Sequence, residues 1–183
     1  YEDLVHLLKW LRSEGAAYGL DPERCALLGG SAGGHLATLL ATRAIREERG
    51  LVTVRAAVDY CGIVDLFEQG QHDDQRQSAM TTNFLGGTVA EKPSLARDAS
   101  PVYHVHSSVP PMWIAHGDCD KTVPVTQSRQ FVETLKAAGI EVVYMEAEGR
   151  PHTMTESQPN PGEEKTLLFE DAMLSFLTEQ LHP

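Results

Sequence analysis

The sequence is poor in cysteine, and the few cysteines that it has are widely separated. Cys25, Cys61 and Cys119 are the only three among 183 residues, and none of them belongs to a Cys-x-x-Cys pair. Zinc sites and disulfide-rich folds depend on closely spaced or numerous cysteines. The spacing therefore indicates neither a zinc site nor a disulfide framework, and we expect all three residues to be buried thiols.

Basic residues are also scarce, and they form no clusters. The chain has 15 Lys and Arg residues against 26 Asp and Glu residues, which gives a formal net charge of -11. Nucleic-acid binding depends on clustered Lys and Arg side chains that neutralise phosphates. We therefore expect no nucleic-acid partner, and a small neutral or cationic ligand is easier to accommodate.

Long hydrophobic runs are absent as well. No stretch approaches the roughly 20 consecutive apolar residues that a membrane-spanning helix needs. The first residues, Tyr1-Glu2-Asp3, do not resemble a signal peptide, and the chain does not begin with methionine. We therefore expect no membrane association, a slight preference for a cytoplasmic location, and a chain that is a trimmed or partial product.

The sequence does contain a regular alternation of apolar patterns. With 42% hydrophobic residues, a chain of this length can bury a core, and we expect a single domain, 1–183. Helical spacing alternates with short apolar runs, which predicts an α/β fold with a mainly parallel sheet and helices on both faces. The predicted strands are 24–29, 52–60, 112–115 and 141–147, and the predicted helices are 4–11, 32–44, 127–138 and 164–181.

Two segments interrupt this alternation. Residues 66–101 are rich in polar residues and glycine, with few apolar anchors, and they are too long for a simple connection. We expect this segment to be a lid or insertion within the single domain. Residues 153–164 are polar and contain proline, so we expect them to form a loop.

A glycine-rich turn joins the first predicted strand to the helix that follows it. Its residues 29–33, GGSAG, match the pattern G-x-S-x-G. In such a turn the serine has a strained backbone, and we expect Gly29 and Gly33 to remove Cβ atoms that would collide. We interpret Ser31 as a nucleophile beside a helix N-terminus that can stabilise an oxyanion. The alternative is a phosphate-binding turn, but the chain has neither G-x-G-x-x-G nor a P-loop lysine.

A serine nucleophile needs a base and a group that orients the base, and both residue types follow later strands. Asp118 and Asp120 come directly after the third predicted strand, and His152 follows the fourth. In a parallel sheet these loops open at the same edge as Ser31. The order Ser, Asp, His is that of the α/β-hydrolases, and both aspartates are candidates for the acid.

The other histidines have structural interpretations. We expect His35 to cap or pack within the second helix, and His116 to hold the acid loop by hydrogen bonding. His104 and His106 have the H-x-H spacing of some metal sites, but no third ligand is near them in the sequence, so we interpret them as loop residues. The remaining histidines, expected at the surface, are His6, His72 and His182.

Five segments together carry a resemblance to a known family. They are YGLDPERCALLGGSAGGHLA, NFLGG, ASPVYHV, PPMWIAHGDCDKTVP and GRPHTM. With them the chain resembles the esterase/lipase branch of the α/β-hydrolases, especially small bacterial carboxylesterases and acetyl xylan esterase-like proteins, over nearly its whole length. The resemblance implies Ser31 as nucleophile, Asp120 as acid and His152 as base, with the amide of Ala32 as an oxyanion donor. It also implies short-chain acyl esters as substrates, an acyl-enzyme intermediate, and neither a metal nor an organic cofactor.

The chain departs from this family's pattern before its first helix. Family members have further strands there, and a His-Gly-Gly-Gly type loop that donates backbone amides to the oxyanion, and this sequence has no such motif. Loss of one oxyanion donor costs about 10² to 10³ in turnover, so we expect the chain alone to be a weak catalyst. The strand before Ser31 should also have an open apolar edge, which predicts a homo-oligomer or completion of the sheet by a missing segment.

Two other functions are consistent with the same residues. An amide or formamide hydrolase, or a peptidase of the same fold, would use the same three side chains on a different substrate. A binding or interaction module would keep the serine turn without a complete oxyanion hole, and it predicts no covalent reaction at Ser31.

Overall fold

The computed structural model describes residues 1–72, 74–153 and 168–182. Strands and helices alternate along most of this length, with short 3₁₀ turns at Gly15–Tyr18 and Pro101–His104 and a π-helical turn at Leu40–Ala44. The strands are β1 (Cys25–Gly30), β2 (Val54–Tyr60), β3 (Met112–Gly117) and β4 (Val142–Ala147). The helices are α1 (Glu2–Glu14), α2 (Ala32–Leu39), α3 (Ile45–Glu47), α4 (Leu66–Gly70), α5 (Gln75–Leu85), α6 (Pro93–Asp98), α7 (Val125–Ala137) and α8 (Glu170–Leu181).

The four strands form one sheet in the order β1-β2-β3-β4, and every neighbouring pair is parallel. The register aligns their carboxyl ends, because Gly30 pairs with Tyr60, Tyr60 with Ala115, and Ala115 with Met145. The loops that follow the strands therefore open at one edge of the sheet. The predicted α/β fold with a parallel sheet is confirmed.

Helices cover both faces of the sheet, as the sequence predicts. Because neighbouring strand residues point to opposite faces, Val58 packs with Phe176 of α8, whereas Ala57 packs with Phe131 of α7 on the other face. Helix α1 and the π-helical turn after α2 lie beside β1 on the α7 face, where Leu8 and Leu40 share a further apolar cluster with Leu27. No helix in the described ranges is both long enough and apolar enough to cross a bilayer.

The ends of the elements differ from the predicted ones by a few residues. Strand β3 continues through His116 and Gly117, both buried, where the sequence prediction ended the strand at the last apolar residue. Helix α7 ends as predicted before Gly139, whose φ of 79° is in the left-handed region. The described part of the last helix begins at Glu170, and residues 164–167 lie outside the described residues, as does the predicted loop 153–164 apart from Thr153.

The segment 66–101 forms the three short helices α4, α5 and α6. Aspartates cap the first two of these helices, because Asp65 accepts a hydrogen bond from the amide of Phe67 and Asp74 accepts one from Arg76. Four apolar residues of the segment form a small core of their own: Leu66, Leu85, Ala96 and Ala99. Residues 66–101 are thus a helical layer above the carboxyl edge of the sheet, and the function of this layer as a lid stays a prediction.

The three cysteines are free thiols, and they differ in exposure. Cys61 is buried, Cys25 is half-buried and Cys119 is exposed. The expectation of three buried thiols is therefore wrong for Cys119. This residue follows β3 in a tight turn, and the turn directs its side chain away from the core beside Asp118.

Candidate active site

Ser31 occupies a sharp turn between β1 and α2. Its φ of 54° and ψ of -120° lie outside the regions that residues other than glycine prefer, so the backbone is strained there. Hydrogen bonds on both sides hold the turn, since the amide of Ser31 donates to the carbonyl of Tyr60 at 2.8 Å and its carbonyl accepts from His35 at 2.9 Å. The turn therefore presents the Ser31 side chain at the carboxyl edge of the sheet.

The glycines around Ser31 have different functions. A Cβ atom on Gly29 would lie 2.2 Å from the carbonyl carbon and oxygen of Gly33, so Gly29 allows the strand to pass close to the helix. A Cβ atom on Gly33 would have no neighbour within 4 Å, so the predicted collision at Gly33 is wrong. The second close approach is at Gly34 instead, where a Cβ atom would lie 2.0 Å from a side-chain oxygen of Asp59.

The structure brings Ser31, His152 and Asp120 together from three loops. The Nε2 atom of His152 lies 2.9 Å from the Oγ of Ser31, and the Nδ1 atom lies 2.6 Å from the Oδ2 of Asp120. An ionised carboxylate can only accept hydrogen bonds, so Nδ1 carries the proton of a neutral imidazole. This tautomer leaves Nε2 free to accept the hydrogen bond from the Ser31 hydroxyl.

Asp120 is held in one orientation by several donors. Its side chain has no exposed surface, and its Oδ1 accepts hydrogen bonds from the amides of Thr122 and Val123 at 2.7 and 3.0 Å. Burial alone would raise the pKa of this carboxyl, but the hydrogen bonds from His116, His152 and the two amides outweigh it and lower the pKa. Asp120 is therefore an ionised and oriented partner for His152.

Asp118, the other candidate acid, contacts a backbone amide and not the imidazole of His152. Its Oδ1 accepts a hydrogen bond of 2.6 Å from the amide of Gly149, which ties the loop after β3 to the loop after β4. Asp118 thus stabilises the loop that leads to His152, and the structure places Asp120 next to the imidazole.

His116 lies on the far side of Asp120 and is fully buried. Its Nε2 donates to the carbonyl of Val123 at 2.9 Å and is 3.1 Å from the Oδ2 of Asp120. Because the Val123 carbonyl only accepts, Nε2 carries the proton, and Nδ1 accepts the hydroxyl of Ser128 at 2.7 Å. The expected function of His116, to hold the acid loop by hydrogen bonds, agrees with these contacts. Nothing in the pattern of residues around Ser128 pointed to its contact with His116.

Cys61 follows β2 and lies close to His152 and Asp120. It has a φ of 47°, and its thiol donates to the carbonyl of His152 at 3.5 Å. Burial, followed by the charges of Asp59 and Asp120, raises the pKa of this thiol to about 12, so it stays protonated near neutral pH. Cys61, Asp120 and His152 are the one group among the described residues whose potential metal-ligating atoms all lie within 4.8 Å of one another. Hydrogen bonds within this group already account for the positions of its polar atoms.

Asp59 is a buried carboxyl that the sequence analysis overlooked. It ends the apolar run of β2, and only 1% of its surface is exposed. Its Oδ1 accepts a hydrogen bond from the amide of Gly62 at 2.9 Å. Its Oδ2 is buried without a hydrogen-bond partner among the described residues. Burial raises its pKa to about 7, against smaller lowering effects of His116 and the Gly62 amide. The signal in the sequence was an aspartate directly after the apolar residues Ala56, Ala57 and Val58 of β2.

Three further histidines make structural contacts. The Nε2 of His35 is 2.6 Å from the carbonyl of Ala99, which joins α2 to the helical layer, and burial lowers the pKa of this imidazole. His104 and His106 each contact a backbone carbonyl through Nε2, at 2.9 and 3.0 Å. Both are therefore positioned by main-chain hydrogen bonds.

A cavity of about 240 Å³ opens beside Ser31. Its walls combine the start of α2 with residues of α4 and α5 and with the loop after Asp120. The residues of these walls are far apart along the chain, from Ser31 to Val123, so no local pattern in the sequence points to the cavity.

Comparisons with known sequences identify the family of the chain. The family model BD-FAE matches residues 1–135. Esterase LipQ of Mycobacterium tuberculosis is 34% identical over 147 residues, which are 77% of this chain and 35% of LipQ. The probable carboxylic ester hydrolase LipM of the same organism is 35% identical over 158 residues, which are 79% of this chain and 35% of LipM. The chain therefore spans about a third of the length of these curated relatives.

Solved structures of similar fold include esterases. Esterase 2 of Thermogutta terrifontis, phosphonylated by sarin, has a TM-score of 0.74 and 27% identity, and the match covers 99% of this chain and 66% of that one. A truncated carbohydrate esterase from gut microbiota has a TM-score of 0.76 at 23% identity, with 99% and 68% covered, which supports the fold alone. Because the family model covers residues 1–135 of the 183, the chain belongs to the BD-FAE family, in the esterase branch of the α/β-hydrolases.

Proposed function

We propose that this chain is a serine hydrolase that cleaves carboxylic esters of short acyl chains through an acyl-enzyme intermediate. The observation that carries the proposal is the unbroken line of hydrogen bonds from the Oγ of Ser31 through His152 to Asp120, with distances of 2.9 and 2.6 Å. A serine on a strained turn with such partners is the arrangement that acyl transfer requires. The relatives named as esterases support the same substrate class.

The first half-reaction transfers the acyl group to Ser31. As the Oγ atom bonds to the ester carbonyl carbon, its proton moves to Nε2 of His152, and the carbonyl π electrons move onto the carbonyl oxygen. In this mechanism the amide of Ala32, at the N-terminus of α2, donates to the oxyanion, and the helix dipole favours the negative charge. The bond to the alcohol oxygen then breaks, and that oxygen takes the proton from Nε2.

The second half-reaction returns the enzyme to its initial state. Water gives a proton to Nε2 of His152 as its oxygen attacks the acyl carbon, and the resulting tetrahedral intermediate expels the Oγ of Ser31, which recovers the proton. Asp120 remains ionised throughout, because its lowered pKa keeps the proton on His152. Its charge stabilises the imidazolium that forms in each half-reaction, and it holds the reactive tautomer.

A variant of Ser31 tests the proposal directly. We expect Ser31→Ala to lower p-nitrophenyl acetate turnover by at least about 10³-fold and to abolish covalent labelling by a fluorophosphonate probe, because the Ser31 hydroxyl is the group that contacts Nε2 of His152. Ser175→Ala, at an exposed position on α8, is the matched control and should leave both readouts unchanged. Unaltered turnover and labelling in Ser31→Ala would contradict the proposal. Faster cleavage of p-nitroacetanilide than of the ester would indicate an amide hydrolase instead.

A further inference from the structure

The cavity beside Ser31 has a defined position relative to the base. Ser31 and Ala32 form part of its wall, whereas His152 does not. Under the proposed function, Nε2 of His152 gives its proton to the departing alcohol oxygen, so the alcohol portion of the ester must lie on the His152 side of Ser31. The portion that stays bonded to Ser31 then points away from His152, toward the cavity.

We propose that this cavity is the binding site for the acyl chain of the substrate, with helix α5 as the element that sets chain preference. The inference rests on the proposed function, because it assigns the two ends of an ester relative to Ser31 and His152. Under this proposal, the helical layer 66–101 forms one wall of the acyl site.

The lining of the cavity selects an uncharged acyl group. Among the described residues that form its wall there is no Lys, Arg, Asp or Glu. Its polar groups are also partly occupied, since the Nε2 of Gln69 donates to the carbonyl of Thr122 at 2.9 Å and its Oε1 accepts from Gln127 at 3.1 Å. A carboxylate entering this site would lose hydration without gaining a cation, so a succinyl ester should be a much poorer substrate than a butyryl ester.

The outer wall of the cavity is formed by two apolar side chains of α5. Met80 and Phe84 line the site although 63% and 61% of their surfaces are exposed, and Phe84 packs edge-on against His35 at a centroid distance of 5.8 Å. On the inner side, Leu66 and Val123 are almost fully buried. With a volume of about 240 Å³, below the roughly 300 to 1,000 Å³ of drug-sized sites, the cavity suits a short alkyl chain.

Chain-length profiles of wild type and variants test the inference. For p-nitrophenyl esters from acetate upward, we expect kcat/KM to rise about fourfold per methylene until the cavity is filled, because each buried methylene adds apolar contact. Met80→Ala and Phe84→Ala remove the outer wall, so the increase in kcat/KM per methylene, measured relative to each variant's own acetate turnover, should fall below about twofold. Leu174→Ala removes a comparably exposed leucine from α8 and should leave the profile unchanged.

A second series separates the acyl side from the alcohol side. In alkyl acetates the acyl group is constant and the alcohol chain varies, so the α5 variants should leave this profile as it is in wild type. A changed alkyl acetate profile with an unchanged acyl profile would overturn the inference, because the cavity would then bind the alcohol. Unchanged profiles in both series would also overturn it, as would a succinyl ester cleaved as fast as a butyryl ester. Absence of ester turnover and of Ser31 labelling in wild type would instead reject the proposed function itself.

Discussion

Asp118 and Asp120 are chemically identical and two positions apart, yet their surroundings give them different functions. Asp120 is enclosed and accepts hydrogen bonds from two amides and two imidazoles. Asp118 accepts one hydrogen bond, from the amide of Gly149 in the loop after β4. The difference arises from the turn after β3, which points one side chain under His152 and the other toward Gly149. The orienting function therefore belongs to the position in the turn and not to the residue type.

Replacing each aspartate by asparagine separates these functions. We expect Asp120→Asn to lower kcat by about 10⁴-fold with a small effect on KM, because the amide NH₂ would donate to Nδ1 and stabilise the wrong imidazole tautomer. Asp118→Asn keeps an oxygen that can accept from Gly149, so its kcat should stay within a few-fold of wild type. Steady-state kinetics on p-nitrophenyl acetate measures both, and an equal loss in the two variants would refute the assignment.

Asp59 is a second residue whose chemistry is set by its environment. Its side chain lies between α2 and the loop after β2. The fit is close, since a Cβ atom added at Gly34 or at Gly62 would come within 2.0 or 2.3 Å of its Oδ1. The space is too small for a hydration shell, and burial raises the pKa of the carboxyl to about 7. Near neutral pH the folded protein therefore gains or loses a proton there.

The raised pKa of Asp59 predicts a pH-dependent contribution to stability. Below its ordinary pKa of 3.8 the carboxyl is protonated in both the folded and the unfolded protein. Between that pKa and about 7, it is protonated in the folded protein only. The free energy of unfolding should therefore decrease as pH rises through this window, and the contribution of Asp59 should be lost above about pH 7. Asp59→Asn has no such proton, so urea unfolding at pH 5 and pH 8 should show a smaller decrease for the variant than for wild type. Parallel pH dependences would contradict this explanation.

At the scale of elements, the β1–α2 turn depends on a close approach at one glycine and not at the other. We expect Gly29→Ala to destabilise the fold by about 1 to 3 kcal/mol or more, because the added methyl would meet the backbone of Gly33. Gly33→Ala adds a methyl in open space within a helix and should increase stability by about 0.5 to 1 kcal/mol. Thermal unfolding of the two variants checks the pair. A larger loss of stability in Gly33→Ala than in Gly29→Ala would show that the turn is packed differently.

The elements that the sequence predicted best are those with continuous apolar patterns. All four strands were predicted because each is an apolar run, and the site followed because residues after such strands meet at one edge of the sheet. Helices α4 to α6 were not predicted, since they are short, polar and dependent on caps such as Asp65 and Asp74. Position in the sequence also left Asp118 and Asp120 undistinguished, because the direction of a side chain in a turn depends on the contacts that the turn makes.

At the scale of the whole molecule, the open edge of β1 and the net charge have opposite effects on self-association. Strand β1 is at one edge of the sheet, and no strand in the described ranges pairs with its outer side. Leu28, on the α8 face of this strand, is 53% exposed. An open strand edge with an apolar side chain favours association between chains, whereas a net charge of -11 opposes it by electrostatic repulsion.

This opposition makes self-association dependent on salt. Because the screening length decreases from about 10 Å at 0.1 M salt to about 3 Å at 1 M, added NaCl should weaken the repulsion and leave the apolar attraction of the β1 edge intact. We therefore expect light scattering to show a mass that increases with protein concentration and increases further with NaCl. Leu28→Lys places a charge on the strand and should reduce this increase, whereas Leu174→Ala, on an exposed helix face, should not. A monomeric mass at every concentration of protein and salt would show that the edge of β1 is protected by its own geometry.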